Sequence, residues 1–80
     1  MNLIDDSVII DFKVPNSIQN LMNECERLNE INDFGTYMNY SEALGYMCKE
    51  ACVNGLLTDK QWQTIERRYE SLWLLTYRMN

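Results

Sequence analysis

The sequence predicts a mainly α-helical single domain: one N-terminal β-strand, then a compact three-helix bundle whose second and third helices form an antiparallel hairpin. Three observations carry that prediction. The run Glu50-Ala51-Cys52-Val53-Asn54-Gly55-Leu56-Leu57-Thr58-Asp59-Lys60-Gln61-Trp62 reads as a helix end, a tight turn and a helix start. Gly55 supplies the left-handed residue that stops a helix. Thr58, with Gln61 three residues later, has the spacing of a capping box, which satisfies two orphan backbone donors. Apolar residues recur at helical spacing as Ile18, Leu21, Met22, Cys25 and Leu28, and Trp62, Ile65, Tyr69, Leu72, Thr76 and Met79 follow the alternating three-and-four spacing of a packed seam. Finally, Ser7 to Val14 is rich in β-branched residues and places Val8, Ile10, Phe12 and Val14 on one face, the period of a strand.

In chain order, the strand covers about residues 7–14 and Pro15 ends it. Asn16 and Gln19 open a first helix over about 16–32. Residues 33–39, with Gly35 and several aromatics, read as a connector. Asn39 and Glu42 then cap a second helix over about 40–54, with Ala43, Leu44, Met47, Cys48 and Ala51 as its buried stripe. The third helix covers about 59–78. Leu72-Trp73-Leu74-Leu75 is apolar around nearly a whole turn, which predicts deep burial or a contact surface. The strand has no evident ladder partner, since Leu3-Ile4 is too short to serve. It is therefore expected to pair with its twin in a homodimer or to join another protein's sheet edge. Val8, Ile10, Phe12, Trp73 and Leu74 are the expected oligomer contacts.

An 80-residue chain buries only about 60% of its unfolded surface, so reliance on a partner or on a second copy is expected. No apolar run approaches the roughly 20 residues needed to cross a bilayer, and no basic-then-apolar leader is visible. A cytoplasmic location without membrane attachment follows as the expectation. Three cysteines without framework spacing fit a reducing compartment. Cys48 and Cys52 share a helical face that Cys25 could approach, yet a structural zinc site takes four ligands on tighter knuckles. The thiols are expected to pack, with no metal and no cofactor.

Catalysis is not expected, and no catalytic residue is assigned. The chain has no histidine, no nucleophile elbow and only three scattered glycines, too few for a phosphate loop. Asp5-Asp6 reads as a solvated turn.

Net charge is −5, unevenly spread. Met1 to Glu42 holds eight acids against Lys13 and Arg27, a net of −6, whereas Ala43 to Asn80 holds four acids and five bases. An acidic half repels nucleic acid and attracts basic protein surfaces. Glu26, Glu30 and Asp33, at i, i+4 and i+7, line one flank of the first helix. Tyr37 and Tyr40 extend that flank along the connector, and tyrosine is enriched at interface hot spots. These five residues form the expected partner-binding edge.

Ala51 and Gly55 fall at the alanine-then-glycine spacing of helix-turn-helix proteins, which the hairpin resembles over about twenty residues. The apolar positions that follow are Trp62 and Ile65, not Gln61 and Thr64. Lys60, Arg67 and Arg68 are offset by Asp59, Glu66 and Glu70, so the positive footprint of a DNA reader is missing. The order strand, helix, helix is similar to ribbon-helix-helix repressors, but the ribbon's outer face would be Ser7, Ile9, Asp11 and Lys13. Gly55-Leu56-Leu57-Thr58 is similar to short helical modules of the SHOCT type. In size and charge the chain is similar to small acidic proteins of phages and mobile elements that disable host nucleases, anti-CRISPR proteins among them.

The leading expectation is a non-enzymatic acidic module that docks on a basic protein, such as a nuclease or other nucleic-acid enzyme, and inhibits or regulates it. Direct nucleic-acid binding is not expected. The alternatives are a homodimeric DNA-binding regulator of the ribbon-helix-helix or helix-turn-helix kind, and an oligomeric assembly subunit.

Overall fold

A computed structural model describes residues 2–70. Three helices carry the fold: α1 (Asn16–Glu30), α2 (Phe34–Val53) and α3 (Asp59–Tyr69). The mainly helical bundle therefore stands. The portion of the third helix expected beyond residue 70 lies outside the described residues, as do Trp73 and Leu74.

The boundaries follow from backbone accounting. Pro15, not Asn16, is the N-cap of α1, and its carbonyl accepts from the N–H groups of Ile18 and Gln19 at 3.0 Å each. The Gln19 side chain instead donates to Asn23 Oδ1 at 2.9 Å. At the other end, Asn32 takes a left-handed φ of 63°. The Asn32 N–H donates to the Asn29 carbonyl and the Asp33 N–H to the Leu28 carbonyl, the paired bonds of a Schellman stop. Asp33 then immediately caps α2, accepting from the Thr36 N–H at 3.3 Å. The expected connector over 33–39 is thus the cap and first turns of α2. Asn is the commonest residue after Gly to tolerate the left-handed region, and it lets the chain reverse within two residues.

The second stop repeats the first with the residue the sequence advertises. Gly55 has φ 75°, its N–H donates to the Cys52 carbonyl, and the Leu56 N–H donates to the Ala51 carbonyl at 2.8 Å. The Thr58 capping box is formed in both directions: the Gln61 N–H to Thr58 Oγ1 at 3.1 Å, and the Thr58 N–H to Gln61 Oε1 at 3.0 Å. Because Asn32 pays a left-handed penalty that glycine escapes, Asn32→Gly is expected to raise stability by about 0.5 kcal/mol. Urea denaturation checks this, and a fall in stability would contradict the stop as described.

The core draws Ile18, Met22, Cys25 and Leu28 from α1, Leu44, Cys48 and Ala51 from α2, and Ile65 and Tyr69 from α3. Of the expected stripes, Leu21, Ala43 and Met47 are only half-buried, and Tyr37 and Ser41 join the buried face of α2. Leu3 and Ile4 are buried too, held by a hook: the Leu3 N–H donates to Asn29 Oδ1 at 2.8 Å, and Asn29 Nδ2 donates to Asn2 Oδ1 at 2.8 Å.

Cys25 and Cys48 are wholly buried free thiols. Burial, with nearby carboxylates adding to it, pushes both up to about 12, so neither offers a thiolate at neutral pH. No cluster of three potential metal ligands occurs among the described residues. No helix among them is long and apolar enough to cross a membrane.

Residues 7–14, expected as a strand, form no ladder among the described residues. Its alternation survives. Val8 is buried, Ile10, Phe12 and Val14 pack against the core, and Ile9, Asp11 and Lys13 face solvent.

Candidate functional site: an acidic flank and the groove beside it

The expected docking edge divides into three parts. Glu30 and Tyr40 lie at the surface, Tyr40 at the lower margin of exposure with 36%. Asp33 is also exposed, yet its carboxylate doubles as the α2 cap. Glu26 and Tyr37 are turned to structural work.

Tyr37 is fully buried, since Asp33 starts α2 early enough to put it on the inner face with Ser41 and Leu44. Its hydroxyl donates to the Tyr69 carbonyl at 2.6 Å, tying α2 to the end of α3. Burial raises the pKa of this phenol well above the ordinary tyrosine value. Tyr37 therefore does not belong to a docking surface.

Glu26 is the hub of a clamp. One of its oxygens, Oε2, accepts from Arg68 Nη2 at 3.0 Å, from Arg68 Nε at 3.2 Å and from the Tyr69 hydroxyl at 2.7 Å. Arg68 Nη1 reaches the carbonyls of Val8, at 2.9 Å, and Asp5, at 3.4 Å. The Asp5 N–H closes the loop by donating to the Arg68 carbonyl at 2.9 Å. The guanidinium also stands 5.5 Å from the Tyr69 ring centroid. One arginine thus binds the N-terminal segment, α1 and α3 together. Arg68, which the helix-turn-helix comparison placed among recognition-helix bases, is not available to a phosphate. Its partners lie 42 to 63 positions away in sequence, so no local spacing could have announced it.

Around this clamp opens a groove of about 410 Å³ between the N-terminal segment and α1. Ile10, Phe12 and Met22 form part of its wall, Gln19 and Asn23 line it from α1, and Glu26, Arg68 and Tyr69 close it, so its lining is more polar than apolar. Ile9, 67% exposed, stands on the lip. The charged pair inside is already mutually satisfied, so the groove offers shape and a mixed, mostly polar lining.

Elsewhere on α1, Arg27 is engaged by Glu24 through Nε at 2.9 Å and Nη2 at 2.9 Å. That hydrogen bond raises the arginine pKa, and Tyr40 and Asp33 contribute from nearby, which sets these side chains around one end of the bundle. Comparison with protein-family models, curated proteins and solved structures finds no match.

Proposed function

We propose that the chain is a non-enzymatic acidic binding module that docks on a basic, nucleic-acid-handling protein and inhibits or regulates it. The observation that supports this reading is the acidic excess of the first forty-two residues, much of it displayed outward. Asp6, Asp11, Glu30, Asp33 and Glu42 are all exposed, whereas Arg27, one of the two bases in that half, is engaged by Glu24. Such a field steers a basic partner and repels nucleic acid. Apolar anchors stand beside it: Ile31 is 57% exposed at the α1–α2 turn and Met38 is 42% exposed on α2. Exposed apolar residues within a charged rim are the usual composition of an interface core.

The clamp and the cap decide how this is tested. Reversing Glu26 or Asp33 to lysine would damage the fold as well as the surface. Glu30→Lys, Asp33→Asn and Tyr40→Ala remove charge and aromatic area while asparagine keeps the cap. The partner is captured from source-cell lysate, identified by mass spectrometry, purified and assayed for its nucleic-acid activity with and without the chain. The combined variant is expected to bind it about a hundredfold more weakly, and wild-type binding to fade as salt rises. Undiminished affinity in the folded triple variant, or a gel shift of DNA by the chain alone, would overturn the proposal.

A further inference from the structure

We propose that the segment Ile9–Val14 is the dimerisation edge of this protein, pairing antiparallel with the same segment of a second copy with Phe12 on the two-fold axis. This inference is independent of the docking surface above.

Three observations lead to it. Among the described residues, no backbone N–H or carbonyl from Ile9 to Val14 makes a backbone hydrogen bond. Six residues of unpaired chain, already alternating inward and outward, are a ready template for a second strand. Beside them lies the open groove of about 410 Å³, which gives an incoming strand room.

The third observation selects the occupant. In an antiparallel pair, directly opposed side chains lie on one face, and like charges opposed there are unfavourable. A two-fold axis at Asp11 would set Asp11 against its twin, and one at Lys13 would set Lys13 against its twin. With the axis at Phe12, Asp11 faces Lys13 of the second copy and Lys13 faces Asp11 of the second copy. On the inward face, Ile10 then meets Val14 of the second copy and the two Phe12 rings meet each other. Among these three registers, this one alone makes both faces complementary. The isologous arrangement repeats each favourable pair. The lone segment bends at Phe12, and no ladder is present to hold it straight; pairing draws that residue into line.

Sedimentation equilibrium of the full chain, over a series reaching millimolar protein, tests the proposal. A monomer–dimer equilibrium is expected. Asp11→Lys and Lys13→Asp, both at exposed positions, each place like charges opposite one another and should raise the dimer Kd about tenfold. The double variant D11K/K13D exchanges the two charges and should return the Kd to the wild-type value. A chain that sediments as a monomer throughout, a dimer indifferent to the single reversals, or a double variant that fails to recover would each overturn the assignment.

Discussion

Replacing Tyr37 by alanine is expected to cost about 4 kcal/mol and to lower the melting temperature by roughly 20 °C. The ring is fully enclosed between α1, α2 and the end of α3, so truncation removes an aromatic's worth of packing from a small core. It also leaves the Tyr69 carbonyl without the hydroxyl that donates to it at 2.6 Å. A domain of this size holds on the order of 4–12 kcal/mol in all, so the alanine variant gives up a third or more of its stability. Tyr37→Phe separates the two contributions. It keeps the ring and loses only the hydrogen bond, and should cost about 1–2 kcal/mol. Circular dichroism with urea titration reads both. If Tyr37→Ala instead kept its melting temperature and lost only partner binding, the residue would belong to the surface after all.

That contrast shows where the sequence was legible. Apolar periodicity located all three helices, and the Gly55–Gln61 turn was readable to the residue because glycine and the threonine–glutamine pair are near-unambiguous stop and start signals. The reversal at Asn32 was not readable in the same way. Asparagine and aspartate serve turns, caps and solvated surfaces alike, so Asn32-Asp33 resembles an acidic rim as much as a stop and a cap. Missing it displaced the start of α2 by about two turns, and Tyr37 moved from an imagined connector into the core. The acidic flank suffered a related error. Helical spacing correctly puts Glu26 and Glu30 on neighbouring surface positions, but periodicity says nothing about which of them meets an arginine 42 residues away. The strand pattern was read correctly as alternation, since alternation requires only one buried face, and a ladder with a second chain is a separate question that one copy does not answer.

Removing the Arg68 side chain is the sharper test of how the whole molecule is tied together. Arg68→Ala is expected to cost about 2 kcal/mol and to lower the melting temperature by about 10 °C. The full penalty of a broken buried pair does not apply, because the Glu26 side chain is 42% exposed and water can take over much of its hydration. What water replaces less well is the double hold on the Val8 and Asp5 carbonyls. The loss should therefore be uneven. Amide exchange at Asp5 and Val8 should accelerate far more than exchange in the middle of α1, since the N-terminal segment loses its anchor and the helix does not. Arg67→Ala, at an exposed position on the same turn, provides the control and should stay within about 0.5 kcal/mol of wild type. Glu26→Gln should fall between the two, because the amide oxygen still accepts from Arg68 and Tyr69 without the charge. If Arg68→Ala left exchange at Asp5 and Val8 unchanged, the segment would be held by Leu3, Ile4 and the Asn2–Asn29 hook alone. The groove would then owe its shape to packing, not to the clamp. If exchange rises as expected, one guanidinium sets the position of the segment that borders the groove. Mutations at Arg68 would then reach any partner of that segment without touching it.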